Sequence, residues 1–203
     1  MQRLRRLWAT MTGAAVILFV LASAWTADRS AASVVLNDGA YIMLIRHGDA
    51  PGRSEPPGFD LNDCSTQRGL SEKGRIQARN LGGMFRARGI NVVRVLASRF
   101  CRAHETAQLL NLRAVEDAPA FDDLASNERQ APVLLDGERK LMTSWHGPGV
   151  MLIVSHGSNI QELTGIDREQ ASMVLVSLKA GRLQARPFSL APTNAMLSCS
   201  GCF

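Results

Sequence analysis

Three short apolar runs divide the sequence, and segments with helical spacing separate them. The runs cover residues 41–45, 92–97 and 150–154. Apolar runs of this length are typical of strands that are buried on both faces of a parallel sheet. Because such strands alternate here with helical segments, the sequence predicts an α/β fold: a single three-layer domain with a mostly parallel central sheet flanked by helices.

The segments between the apolar runs carry helix signals. Ser71 can cap a helix that begins at Glu72 and continues to about Arg88, where Gly89 can end it. Weaker periodic patterns predict three further helices, over residues 102–111, 133–145 and 159–164.

Turn-forming residues mark the remaining connections. Residues 173–179 and 182–188 flank Ala180-Gly181, and this arrangement predicts a β-hairpin. Two longer segments have the composition of loops, residues 49–69 and 116–132. Pro119 and Pro132 are expected to interrupt regular structure in the second loop.

The first 24 residues have the composition of an export signal. Arg3, Arg5 and Arg6 precede an apolar stretch, and Ala22-Ser23-Ala24 supplies the small residues that signal peptidase accepts. The alternative is an uncleaved membrane anchor, because residues 7–27 carry no charge. We therefore expect a periplasmic or secreted protein. Its expected parts are a signal peptide or anchor helix at 1–24, a linker at 25–39, the folded domain at 40–190 and a tail at 191–203.

The positive charge of the chain is concentrated in this N-terminal segment. The formal net charge is +5, but residues 1–24 contain three arginines and no acid, so the rest carries 20 bases against 18 acids. Aromatic residues make up only 5% of the chain. A nucleic-acid partner is therefore not expected, because such surfaces need clustered positive charge or stacking aromatics.

Export would place the four cysteines in an oxidising compartment, where they could pair in three ways. We expect Cys64 to pair with Cys101, and Cys199 with Cys202. The alternative is that the thiols stay free. A zinc site at the terminal Cys-x-x-Cys is not expected, because a second pair of ligands with metal spacing is missing.

Polar and charged side chains directly follow each apolar run. The three segments are Arg46-His47-Gly48, Ser98 to Arg102, and Ser155-His156-Gly157. In open α/β sheets, ligands bind outside the carboxyl ends of the strands. We therefore expect two histidines and two arginines to converge at one edge of the sheet.

These segments resemble the histidine phosphatase superfamily, in its phosphoglycerate-mutase-like branch. Arg46-His47-Gly48 matches the Arg-His-Gly that follows the first strand in that family, and His156-Gly157 matches its second His-Gly. Residues 70–78 and 98–107 match the two remaining family motifs, although Arg99 stands where the family has Pro.

The resemblance covers roughly residues 40–165 and implies the phosphoglycerate-mutase-like fold. Residues 63–68 further look like a bacterial exported subgroup.

The family resemblance implies a mechanism through a phosphohistidine on His47. A neutral imidazole can approach a phosphate dianion without charge repulsion, and guanidinium groups hold the phosphoryl oxygens. The implied catalytic residues are His47, Arg46, Arg102, His156 and Asp123, and the implied substrate-binding residues are Arg46, Gly48, Arg102 and Gly157. No metal or other cofactor is expected.

The proton donor is the least defined member of this set. The family commonly places a carboxylate between the second arginine motif and the second histidine, and the candidates here are Asp122, Asp123 and Glu128. Asp123 is preferred, and Asp122 comes next. His104 and His146 are expected to be surface residues.

Together these features predict an exported, metal-independent phosphomonoesterase with a small-molecule phosphomonoester as substrate. The alternative is an impaired pseudo-phosphatase that binds phosphate ligands without cleaving them. Contact with a membrane is expected only if the N-terminal segment stays uncleaved. A mutase is disfavoured, because it would need a lid that keeps water away from the phosphoenzyme.

Overall fold

The computed structural model describes residues 36–37 and 39–190 of the 203-residue chain. The expected signal or anchor segment, Cys199, Cys202 and the tail lie outside the described residues, as does most of the linker. Across the described part of the chain, every helix is too short or too polar to cross a membrane.

Six strands form the central sheet. They are β1 (Ala40–Arg46), β2 (Val92–Ala97), β3 (Val115–Asp117), β4 (Gly149–Ser155), β5 (Met173–Lys179) and β6 (Arg182–Phe188). Their order across the sheet is β3-β2-β4-β1-β5-β6. The three strands predicted from the apolar runs are confirmed as β1, β2 and β4, and the predicted hairpin is confirmed as β5 and β6. The short edge strand β3 was not predicted.

Among the described residues, four helices lie beside the sheet. They are α1 (Glu72–Ala87), α2 (Cys101–Leu110), α3 (Ala131–Thr143) and α4 (Gly157–Thr164). The predicted cap of α1 is confirmed, because the Ser71 hydroxyl accepts a hydrogen bond from the Gly74 amide at 3.1 Å. Pro132, expected to break regular structure in the loop of residues 116–132, instead lies within a helix. It occupies the first turn of α3, where no helical partner is needed for a backbone N–H.

The sheet is mixed, and the expectation of a mostly parallel sheet is wrong. β1 and β2 each pair in parallel with β4, and β2 also pairs in parallel with β3. The β1–β5 and β5–β6 pairs are antiparallel. The backbone at Ala171 and Ser172 bonds to the carboxyl end of β1, so β5 starts there and runs back along it. The two-residue turn after β5 then permits only an antiparallel partner.

The strands are covered on both faces, which gives the predicted three layers. On one face, Leu81 and Phe85 of α1 and Leu110 of α2 share a core with Met43 and Leu152. On the other face, the core residues are Met142, Ile160 and Phe121 with Leu44 and Ile153 of the sheet. Since side chains alternate along a strand, each buried strand supplies both cores.

Glu138 of α3 is a carboxylic acid buried in the core that contains Met142, Ile160 and Phe121. The residue is fully buried (0% exposed), and its Oε1 accepts a hydrogen bond from Asn159 Nδ2 at 2.7 Å. Its Oε2 has no hydrogen-bond partner among the residues that the structure describes. Burial raises the pKa of Glu138 to about 8, against the opposing effect of the Asn159 bond. The buried group is therefore protonated at neutral pH.

We expect Glu138→Gln to gain stability relative to the wild type as the pH rises. In the wild type, the protonated Glu138 makes its full contribution to the free energy of unfolding below the unfolded-state pKa of 4.5. This contribution is progressively lost as the pH rises toward the folded-state pKa of about 8. Glutamine keeps the acceptor for Asn159 and cannot ionise. Urea unfolding of both proteins at pH 5, 7 and 9 would measure the difference, which should grow with pH by about 1–4 kcal/mol. A difference that does not change with pH would contradict the raised pKa.

Candidate active site

Parallel pairing of neighbouring strands brings the two predicted histidines together. Arg46 at the end of β1 lies opposite Ser155 at the end of β4, so His47 and His156 leave the sheet side by side. Their ring centroids are 5.3 Å apart. The carboxyl edge of the sheet therefore holds a pair of imidazoles, and Arg102, in the first turn of α2, contacts both of them through its guanidinium.

His47 is held in one tautomer. Its Nδ1 lies 2.7 Å from the Gly48 carbonyl oxygen, which can only accept, so Nδ1 carries the hydrogen. The lone pair is then on Nε2, which accepts a hydrogen bond from Arg102 Nε at 3.1 Å. Burial of the ring, followed by the positive charge of Arg102, lowers the pKa of His47 to about 3. His47 is therefore a neutral imidazole whose unprotonated Nε2 faces a guanidinium.

Arg102 links both imidazoles to two carboxylates. Its side chain is 1% exposed, and Nη2 contacts His156 Nδ1 at 3.1 Å and Asp123 Oδ2 at 3.0 Å. Nη1 donates to Glu55 Oε1 at 2.5 Å. Glu55 lies in the loop of residues 49–69, called the long loop below. It was not predicted, because nothing in the sequence of this loop points to a contact 47 residues away.

His156 is also neutral and oriented. Since the Arg102 guanidinium only donates, His156 Nδ1 must accept from it, and Nε2 donates to Ser98 Oγ at 2.8 Å. The Ser98 hydroxyl donates in turn to Asp122 Oδ1 at 3.2 Å. Burial, reinforced by the charge of Arg102, holds the pKa of His156 well below its usual value. The ring is therefore neutral, with the lone pair of Nδ1 directed at the Arg102 guanidinium.

Asp122 is fixed by the residue that departs from the family motif. Arg99 binds Asp122 Oδ2 through Nε at 2.9 Å and Nη2 at 2.5 Å, and its backbone N–H donates to Asp122 Oδ1 at 2.9 Å. Such a two-pronged contact fixes orientation as well as charge. Arg99 thus holds the carboxylate that supports Ser98 and His156.

The other two predicted carboxylates differ in position. Asp123 lies in the cluster, where it accepts from Arg102 and also from Ser126 Oγ at 3.0 Å and Ser158 Oγ at 2.7 Å. Glu128 is exposed in a 3-10 turn between Asp123 and α3. The structure therefore brings Asp123 to the histidines and leaves Glu128 at the surface.

Arg46 has a donor available for a ligand. Its Nη1 donates to the Arg168 carbonyl oxygen at 2.5 Å, while its buried Nε has no partner within the described ranges. The guanidinium lies against Gly157, where a Cβ atom would come within 3.1 Å of Arg46 Cζ. Gly157 therefore leaves room for Arg46, and Arg46 Nε can bind an oxyanion.

Close packing of the backbone requires a glycine at position 48. A Cβ atom there would lie 2.6 Å from the Gly74 carbonyl oxygen, so the loop after β1 and the start of α1 approach too closely for any side chain. The Gly48 N–H donates to Thr106 Oγ1 at 3.0 Å. Its amide is thus already occupied, and its role toward a ligand remains a prediction from the motif.

The long loop folds back over the histidines. Cys64 and Cys101 form a disulfide with their Cα atoms 5.7 Å apart, which confirms this predicted pairing. The Cys101 backbone N–H also donates to Gln67 Oε1 at 3.0 Å. Since Cys101 directly precedes Arg102, these contacts tie the loop to the helix turn that carries the central guanidinium.

We expect Cys64→Ser to lower the free energy of unfolding by about 3–4 kcal/mol, because the disulfide closes a ring across 37 positions of the chain. Urea unfolding of oxidised and variant protein would measure the loss. The same loss should appear in the wild type after reduction. Peptide mapping without reductant would contradict the pairing if it found both thiols free in protein taken from an oxidising compartment.

An open cavity lies next to the histidines. It has a volume of about 530 Å³ and is lined by Phe59, Asp60, Leu61, Asn62, Arg99 and Asp117. Phe59 packs on Phe100 with the ring centroids 5.6 Å apart, and Phe100 contacts the His156 ring at 5.1 Å. Two aromatic side chains, Phe59 and Phe100, thus lie between the cavity and the His156 ring.

The two remaining histidines lie away from this cluster. His104 on α2 is partly exposed and lies 3.3 Å from an Asp117 oxygen, and His146 is exposed in a loop. Among the residues the structure describes, His, Cys, Asp and Glu form no group of three or more that could hold a metal ion.

Comparison with known proteins gives a relationship that agrees with this geometry. Residues 42–126 match the family model described as histidine phosphatase superfamily (branch 1). The match supports assignment to the histidine phosphatase superfamily. A curated relative is the mitochondrial serine/threonine-protein phosphatase Pgam5 of Drosophila virilis, which is 34% identical over 76 residues. The alignment covers 37% of this chain and 24% of the fly protein, so the chain matches about a quarter of that relative's length.

Solved structures show the same fold. The protein histidine phosphatase SixA, complexed with tungstate, has a TM-score of 0.53 and 21% identity, and the match covers 72% of this chain and 94% of SixA. The mycobacterial glucosyl-3-phosphoglycerate phosphatase has a TM-score of 0.51 and 16% identity, with 74% and 98% of the two chains covered. The six-stranded mixed sheet with its helices is therefore a phosphoglycerate-mutase-like fold.

Proposed function

We propose that the protein is a metal-independent phosphomonoesterase that works through a phosphohistidine on His47. The observation that best supports this proposal is the orientation of the His47 imidazole ring. Its Nδ1–H is committed to the Gly48 carbonyl, its ring is neutral, and its free Nε2 faces Arg102 at 3.1 Å. A phosphatase of this superfamily is also what the family match and the curated relatives support.

The side chains around His47 have complementary tasks in the proposed reaction. Arg102 and Arg46 would hold the non-bridging oxygens of the substrate, through the guanidinium between the imidazoles and the unpartnered Nε of Arg46. His156 would take up a proton on Nδ1 from solvent together with the arriving anion, and this N–H would then donate a hydrogen bond to a phosphoryl oxygen. Phosphoryl transfer needs mainly this positioning and charge stabilisation. A carboxyl group would protonate the leaving oxygen, and the sequence points to Asp123.

Export is part of the proposal. Support comes from the composition of residues 1–24 and from the Cys64–Cys101 disulfide, a kind of bond that persists mainly in oxidising compartments. The substrate would be a small phosphomonoester in the periplasm or outside the cell.

The test is to trap the intermediate on the mature protein in the presence of EDTA. We expect brief incubation with a ³²P-labelled phosphomonoester to leave acid-labile label on His47, and longer incubation to release inorganic phosphate. A pseudo-phosphatase would bind the ligand without becoming labelled. Loss of labelling in EDTA, with recovery on adding zinc or magnesium, would contradict the metal-independent mechanism.

A further inference from the structure

The long loop carries a carboxylate that neither the sequence motifs nor the comparisons assign. Glu55 has a side chain that is 3% exposed, and its Oε1 bonds to Arg102 Nη1. Its Oε2 accepts from the Arg68 backbone N–H at 2.9 Å. Through the single guanidinium of Arg102, this carboxylate is connected to His47 Nε2.

The carboxylates near Arg102 differ in how many acceptor positions are still open. An ionised carboxylate has about four such positions. Asp123 uses them on Arg102, Ser126, Ser158 and the Ala125 amide.

Asp122 is occupied to the same extent. It receives three hydrogen bonds from Arg99 and one from Ser98. Glu55 uses two positions, one on each oxygen. Glu55 therefore has room on its oxygens for a proton or a water molecule, whereas Asp122 and Asp123 are held in place as acceptors.

Glu55 enters the cluster from an exposed stretch of the loop, although its own side chain is 3% exposed against 11% for Asp123. Its neighbours Arg53, Ser54, Pro56 and Pro57 are exposed, so the carboxyl group reaches inward from the surface of the loop. Asp123, by contrast, is held by Ser158 at the start of α4.

We propose that Glu55, rather than Asp123, is the general acid and base of the reaction, an inference that rests on the proposed phosphohistidine mechanism. In the first step, the protonated Glu55 carboxyl group gives its proton to the bridging oxygen as the P–O bond breaks. The bond from His47 Nε2 to phosphorus forms, and the alcohol leaves.

In the second step, the Glu55 carboxylate takes a proton from a water molecule. The oxygen of that water bonds to phosphorus as the N–P bond breaks. Inorganic phosphate leaves, and both neutral His47 and protonated Glu55 are restored. Asp123 acts as a positioning residue, which holds Arg102 against the two imidazoles.

Two substrates with different leaving groups test the assignment. p-Nitrophenyl phosphate needs little protonation of its leaving oxygen, whereas glycerol 2-phosphate needs a general acid. In single-turnover labelling, we expect Glu55→Gln to slow phosphorylation of His47 by glycerol 2-phosphate by about 10²–10⁴-fold. Labelling by p-nitrophenyl phosphate should stay within roughly threefold of the wild type, and the phosphoenzyme should then accumulate because water is no longer activated.

Matched variants separate this role from a structural one. Asp123→Asn should slow labelling by both substrates by the same factor, since it disturbs Arg102 for either one. Glu162→Gln, an exposed substitution of the same type on α4, should behave as the wild type. Glu55→Asp keeps a carboxyl group and should recover part of the loss with glycerol 2-phosphate, so it also controls for misfolding of the glutamine variant.

Two results would overturn the assignment while leaving the proposed function intact. One is a Glu55→Gln variant that slows labelling by both substrates equally. The other is a leaving-group-dependent loss in Asp123→Asn instead, which would return the acid–base role to Asp123. Failure of the wild-type protein itself to become labelled would instead refute the phosphohistidine mechanism.

Discussion

His47→Ala abolishes phosphate release and leaves no acid-labile phosphoenzyme; this is the largest effect that we expect. The variant removes Nε2 of His47, the unprotonated nitrogen that the Gly48 carbonyl orients through Nδ1 and that faces the Arg102 guanidinium. Removing a nucleophile of this kind typically lowers turnover by roughly 10⁴-fold or more. Phosphate release and ³²P labelling of the purified protein measure the two losses.

His146→Ala is the matched control, because this histidine is exposed in a loop. We expect it to keep wild-type turnover and labelling. Circular dichroism of both variants would show that the histidine substitutions leave the fold in place. Wild-type turnover in His47→Ala would refute the phosphohistidine mechanism directly.

Arg102→Ala is expected to damage catalysis and stability together. Loss of a charge-stabilising donor costs about 10²–10³-fold in turnover. The side chain is also buried between Glu55 and Asp123, whose side chains are 3% and 11% exposed. Because the substitution leaves two buried carboxylates without their cation, the free energy of unfolding should fall by about 3–5 kcal/mol. Phosphate release and urea unfolding measure the two effects.

The stability effect has its own test. If the loss in Arg102→Ala comes from stranded carboxylates, then adding Glu55→Gln to Arg102→Ala should recover part of it. The same glutamine in the wild-type background should not stabilise the protein. This non-additivity is the mark of residues in direct contact. An Arg102→Ala protein that unfolds at the wild-type urea concentration would show that the ion pairs contribute nothing.

The residues at the strand ends could be predicted from the sequence, because local patterns determine where these strands lie. The strands β1, β2 and β4 are continuous apolar runs, and the residues after them must leave the sheet at the same edge. This placed His47, Arg102 and His156 together before the fold was known. The hairpin was equally local, since Ala180-Gly181 needs only its two flanking strands.

The missed features depend on contacts between distant segments. Glu55 lies in a loop without apolar periodicity, and its partner follows 47 residues later. The direction of β5 depends on backbone bonds from residues 171–172 to the end of β1, which no pattern within β5 reports. Strand β3 has only three residues, too few to show alternation. Of these, Glu55 bears most directly on the proposed chemistry.

The two edges of the sheet have a consequence for how copies of the protein meet at high concentration. One edge is β3, which offers few backbone groups to an incoming strand because it is so short. The other is β6, which carries Arg182 and Arg186, and whose Pro187 has no N–H to donate. Charge, proline and brevity at sheet edges disfavour strand addition by a neighbouring molecule. Edge-to-edge aggregation through this sheet is therefore disfavoured on both sides.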